Sequence, residues 1–93
     1  MKRLDLIFSE RELNTMLKSL EESNVPGYTV MKHVTGRGPE TIVFEEMEFT
    51  GLGANAHVIV FCEKELLETI KKNISPILNY YGGVAYVSDA TPL

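Results

Sequence analysis

The side chains best placed to do chemistry are two histidines, one cysteine, one glycine-flanked arginine and a short run of acids. His33 and His57 belong to the residue type whose charge changes between about pH 5 and 8. Both fall in segments that read as neighbouring strands. They could share a site or bind a divalent metal, or they could simply face an interface or solvent. Cys62 closes the apolar run Val58-Ile59-Val60-Phe61. Alternation along a strand puts it on the face opposite His57, so it is no third metal ligand and reads as a small core hydrophobe. Gly36-Arg37-Gly38 reads as a turn or as an anion cradle. Glycines let backbone N–H groups approach an anion closely, and an arginine can hold a phosphate bidentately. Glu40, Glu45, Glu46 and Glu48, with Phe44, form an acidic stretch that is either solvated or presented to a basic partner. Tyr80 and Tyr81 could stack on a base or fill a contact between subunits. No nucleophile–base pair and no metal cluster is visible, so an enzyme is the least supported class.

These residues must be positioned by a small fold. The chain has 93 residues, 44% of them hydrophobic and 24% charged, which fits one soluble globular domain over 1–93 and not a disordered chain. The net charge of −4 lacks the basic footprint of a nucleic-acid binder. A single cysteine closes no intrachain disulfide and suits a reducing compartment. The N-terminus lacks the apolar region and cleavage site of a signal peptide, and no stretch approaches the about 20 apolar residues of a membrane span. The expectation is a cytoplasmic protein.

Leu4, Leu6 and Phe8 alternate with Arg3, Asp5 and Ile7, which predicts a strand over 2–8. Ser9 and Glu12 have the spacing of a capping box. Leu13, Met16, Leu17 and Leu20 then follow at helical spacing, predicting a helix over 10–23. Val25-Pro26-Gly27 stops it near Asn24. Residues 28–34 read as the second strand and 55–62 as a buried third. A helix over 63–73 follows, with Ser75-Pro76 starting a short continuation. Residues 79–83 read as a turn and 84–88 as the last strand. Between the second and third strands lies a long excursion, 35–54. Connections of this length in compact domains are usually functional.

The order β-α-β, loop, β-α-β gives an α+β fold. It is the ferredoxin-like βαββαβ arrangement, a four-stranded antiparallel sheet with both helices on one face. The other face has no partner within the chain. Ile7, Met31, His33 and Ile59 are expected to line it, and other copies of the chain are its natural cover.

Gly27-Tyr28-Thr29-Val30 opens the second strand, Gly36-Arg37-Gly38 begins the long loop, and Tyr80-Tyr81-Gly82-Gly83 precedes the last strand. In that order and spacing the chain resembles the P-II signalling superfamily over nearly its whole length. The branch it is most similar to is the PII-like one associated with bicarbonate transport and carboxysomes. The resemblance implies a non-catalytic homotrimer with an adenine nucleotide in each of three clefts between subunits. It places Thr29 near the adenine and Gly36, Arg37 and Gly38 around ribose and phosphate. From the neighbouring subunit, Phe61 and Cys62 would flank the base, and Tyr81, Gly82 and Gly83 would close the cleft. The excursion corresponds to the family's T-loop, which meets a target. Glu40, Phe44, Glu45, Glu46 and Glu48 would form its partner-binding surface. The implied target is a bicarbonate or other anion transporter, met at the inner face of the membrane.

The sequence departs from typical P-II proteins in two places. Their Gly-Asp-Gly-Lys turn carries a phosphate-binding lysine, whereas here the turn reads Tyr81-Gly82-Gly83-Val84. Arg37 is left as the one obvious cation, which suits AMP, ADP or cyclic AMP better than ATP. Bicarbonate is a candidate second effector. The loop also lacks the family's modifiable tyrosine. Two alternatives stay open: a metal-handling trimer like the copper-tolerance proteins, using His33 and His57, and a ligand-free ferredoxin-like interaction module.

Overall fold

A computed structural model describes residues 1–36 and 54–93. The elements are β1 (Lys2–Ser9), a 3-10 turn (Glu10–Glu12), α1 (Leu13–Glu22), β2 (Thr29–Val34), β3 (Asn55–Cys62), a second 3-10 turn (Lys64–Leu66), α2 (Leu67–Tyr81) and β4 (Val84–Asp89). The strands form one sheet in the order β2-β3-β1-β4, with every neighbouring pair antiparallel. This is the expected ferredoxin-like architecture. Among the described residues no helix is long and apolar enough to cross a membrane.

The core follows from strand and helix periodicity. Leu4, Leu6 and Phe8 of β1 and Ala56, Val58, Val60 and Cys62 of β3 point to one face. Leu13, Met16 and Leu20 of α1 and Ile70 and Ile74 of α2 cover them. Truncating a fully buried member such as Leu6 or Met16 to alanine costs about 2–5 kcal/mol, through lost transfer energy and the cavity left behind. The helices are also tied to each other by polar groups. The Asn73 amide donates to Ser23 Oγ at 2.7 Å, and the Ser23 hydroxyl donates to the Ser19 carbonyl at 2.8 Å.

Three local expectations are corrected. Ser9 has the extended backbone of an N-cap but makes no side-chain cap bond, so the capping box with Glu12 does not form; a 3-10 turn follows it and α1 begins at Leu13. α1 stops near Asn24 as expected, with Asn24 itself in the left-handed region at φ 61°. α2 does not break at Asn73 or Ser75 but runs on to Tyr81 with Pro76 inside it. Pro76 and Lys72 are both exposed, and Pro76 leaves the Lys72 carbonyl without its helical donor. Residues 79–81 are therefore helical, and the turn is only Gly82-Gly83.

The third correction is in β2. Met31 pairs with His57 and Val34 with Asn55, so three steps along β2 oppose two along β3. The extra residue makes a bulge, and His33 lies in it at φ 59°. His33 therefore leaves the alternation that would place it beside Met31. Ile7, Met31 and Ile59 keep their expected place on the open face.

Candidate functional site

β2 begins at Thr29, opposite Ile59, so β3 outruns it by three residues. The β2-facing backbone of Val60, Phe61 and Cys62 is left without a ladder partner from that strand. Beside it the chain entering β2 forms the wall of an open groove of ≈ 430 Å³, lined by Tyr28, Thr29, Ile59, Phe61, Cys62 and Glu63 among others. Phe61 is 45% exposed at the last outward position of β3. The Arg3 guanidinium lies 5.9 Å from its ring centroid. The Tyr28 hydroxyl donates to Glu21 Oε1 at 2.9 Å, and this bond raises the tyrosine pKa. A flat apolar surface beside free backbone donors and acceptors suits a planar heterocycle with polar edges.

Cys62 reaches this groove mainly by its backbone. Its side chain is 2% exposed and belongs to the core, and burial, with Glu63 nearby, pushes the thiol pKa up. A core role for Cys62 was legible from alternation. Tyr28 was not singled out as a site residue, although its place in Gly27-Tyr28-Thr29-Val30 was a usable signal.

The glycine turn lies at the other end of the sheet. Gly82 and Gly83 have φ of 87° and 118°, and Gly83 packs on the backbone of Ile7 and on Phe8. Tyr80 and Tyr81, tilted rings 4.7 Å apart, project from the end of α2 and are both exposed. Gly36 follows β2 at this same end, with open space where a Cβ would stand. Arg37 and Gly38 lie outside the described residues, as do Glu40, Phe44, Glu45, Glu46 and Glu48.

Within one chain the structure therefore brings Thr29, Phe61 and Cys62 together and keeps Tyr81, Gly82 and Gly83 apart from them. Phe61 is opposite Arg3, and Val84 is opposite Ile7. Four residues of strand separate these rungs, about 13 Å. This grouping differs from the expected one, in which Phe61 and Cys62 accompanied the glycine turn and Thr29 came from the other subunit. A second groove, ≈ 410 Å³ between α2 and β4, is lined by Leu67, Ile74, Leu78 and Val87 among others and holds none of the expected site residues.

The open sheet face carries one polar cluster. Arg3 Nε and Nη2 donate to the two carboxylate oxygens of Asp5, each at 3.0 Å. His57 Nε2 lies 2.8 Å from Asp5 Oδ1. Arg3 is the main cause that holds the Asp5 carboxyl below its ordinary range; partial burial opposes it and His57 assists. His33 instead sits at the strand end with Nδ1 3.2 Å from Glu10 Oε2. The two histidines thus have separate carboxylate partners. Among the described residues no three His, Cys, Asp or Glu side chains converge as a metal site. The Arg3–Asp5 pairing was not anticipated, though two residues apart on a strand places them on one face.

The profile of the family described as nitrogen regulatory protein P-II matches residues 1–93. No curated protein sequence matches the chain. One similar solved structure is CPII, a nitrogen regulatory PII-like protein from Thiomonas intermedia K12, bound to ADP, AMP and bicarbonate. It has a TM-score of 0.79 and 22% identity, covering 96% of this chain and 84% of that one. The apo form of CPII gives 0.75 and 21%, covering 96% and 87%. A protein of Thermus thermophilus described as PII-like and signalling gives 0.70 and 17%, covering 94% and 82%. At these identities the likeness to solved structures is one of fold.

Proposed function

The chain belongs to the nitrogen regulatory protein P-II family, and from that premise we propose that it is a non-catalytic sensor of adenine nucleotides that works as a homotrimer. Its ligand is AMP, ADP or cyclic AMP in preference to ATP, with bicarbonate as a second effector. Each ligand lies between two subunits. One subunit offers Thr29, Phe61 and the backbone of Cys62 to the base. Its neighbour offers Gly36, Arg37 and Gly38, with the Tyr81-Gly82-Gly83 turn, to ribose and phosphate.

The observation that carries this reading is the separation, on one chain, of Thr29, Phe61 and Cys62 from Gly36 and the Tyr81-Gly82-Gly83 turn. Groups at opposite ends of a sheet serve one small ligand only when a second copy brings them together. The solved CPII structures support the ligand class, since that protein is bound to ADP, AMP and bicarbonate or to ADP and bicarbonate.

Regulation then follows from differential affinity. A nucleotide that binds one arrangement of the 35–54 loop better than another shifts the population toward it. The loop, with Glu40, Phe44, Glu45, Glu46 and Glu48, engages or releases a bicarbonate or other anion transporter from the cytoplasmic side.

Calorimetric titration with AMP, ADP, ATP and cyclic AMP, each with and without bicarbonate, tests the reading. The expected result is micromolar binding of one nucleotide, weakened by Arg37→Ala at least tenfold, about 1.4 kcal/mol. No binding by any of the four removes the sensor reading and leaves a ligand-free interaction module as the better account.

A further inference from the structure

The open sheet face holds a charge balance that one proton upsets. Among the described residues the face presents Arg3, Asp5 and Ile7 from β1, His57, Ile59 and Phe61 from β3, Thr29 and Met31 from β2, and Val84 and Tyr86 from β4. Apart from Arg3, Asp5 and His57 these are uncharged at neutral pH. The Arg3–Asp5 pair is neutral in sum and geometrically saturated, with two parallel N–H···O bonds at 3.0 Å. His57 joins through the one oxygen it shares with Arg3 Nη2. A neutral imidazole completes the cluster as a hydrogen-bond donor. A protonated one adds a positive charge that, among the described residues, no second carboxylate on this face offsets.

The groups facing His57 define which proton matters. β1 presents Asp5 and Arg3. β2 presents Met31 directly opposite. β4 contributes Tyr86, opposite Asp5, and β3 itself flanks His57 with Asn55 and Ile59. The other histidine, His33, and its partner Glu10 lie beyond Asn55 at the strand end. Arg3 keeps the Asp5 carboxyl ionised into the acid range, and tyrosine and arginine ordinarily titrate far above neutrality. Histidine is the residue type whose charge changes between about pH 5 and 8, and among the described residues His57 is the histidine on this face.

We propose that the Arg3–Asp5–His57 cluster makes self-assembly of this chain acid-sensitive, a protonated His57 opposing closure of the open sheet face against other copies. The proposal rests on the reading of that face as the surface between subunits. In an open monomer the extra charge is solvated, since His57 and Asp5 side chains keep 22% and 20% of their exposure. Closure against a like face removes that water and brings further copies of the same cation into one low-dielectric interior, where like charges repel.

The test is sedimentation of the wild type and of His57→Gln at about pH 8 and about pH 5, with circular dichroism at each pH to check the fold. Glutamine keeps an amide donor for Asp5 and does not titrate. The expected result is a wild-type assembly at the higher pH whose dissociation constant rises at least tenfold at the lower pH, with helix content retained. His57→Gln should stay assembled at both. A wild type that is equally assembled at both pH values, or a His57→Gln that comes apart just as the wild type does, overturns the proposal. A wild type that is monomeric even at the higher pH overturns it through the assembly reading instead.

Discussion

Gly83 lies so close to β1 that a Cβ built on it would stand 2.9 Å from the Phe8 Cβ and 2.9 Å from the Ile7 carbonyl oxygen. Its φ of 118° is also one that L side chains rarely adopt. Neither Phe8, which is buried, nor the β1 backbone can give way. Gly83→Ala should therefore destabilise the fold by about 2 kcal/mol or more, from backbone strain and overpacking together. Urea unfolding at neutral pH measures this, and a loss below about 0.5 kcal/mol would contradict the packing described.

Asp5 should shape the acid limb of the stability curve. Its folded pKa lies below the ordinary 3.8, held down chiefly by Arg3. The resulting stabilisation is present above that ordinary value and is lost as pH falls through the lower folded one. Melting curves from about pH 6 to about pH 2 should show the wild type losing roughly 1 kcal/mol more than Asp5→Asn over the acid end. Parallel curves for the two proteins would show that Asp5 titrates alike in the folded and unfolded chain.

Cys62 should be chemically quiet. Burial raises its pKa, and the thiolate is the reactive form. Alkylation by iodoacetamide at neutral pH should run at least about tenfold slower in the native protein than after denaturation. Cys62→Ser should lower stability by about 1–3 kcal/mol, because it places a hydroxyl in the core. Fast native alkylation would place the thiol in the groove and not in the core.

The two grooves should separate in binding experiments. Phe61→Ala should weaken nucleotide binding about tenfold while leaving the fold intact, since the ring is half in solvent. Val87→Ala, in the groove between α2 and β4, should leave affinity within about twofold of the wild type. Val87 is likewise exposed, so the pair is matched for structural cost. The opposite pattern would move the ligand to the second groove.

Much of this fold is legible in the residues, and the exceptions have identifiable causes. β3 occupies the expected 55–62 because a run of β-branched and apolar residues allows little else. The continuity of α2 was hidden, since Ser75-Pro76 has the form of a helix start. What overrides it is tertiary: Ile74, Ile77 and Leu78 all pack on or against the core, while Pro76 itself is exposed. The bulge at His33 was hidden for a different reason. Alternation specifies which face a side chain takes only while the two strands stay in step, and no single residue announces the extra one. At the candidate site, Thr29, Phe61 and Gly82-Gly83 were legible as turn and strand-end residues. Which of them share one chain's groove was not, because it depends on where β2 starts relative to β3.

On the proposed reading, the distance between the Phe61 groove and the Gly83 turn would also govern how binding responds to protein concentration. A solitary chain would carry both halves of the cleft and close neither on a ligand. A nucleotide held between neighbours is a tether, so mass action links its occupancy to the oligomer population. Dilution alone would then strip the ligand, and saturating ligand would protect the assembly from dilution. A cell that varies the abundance of this protein would retune its sensitivity to nucleotide without changing a single contact.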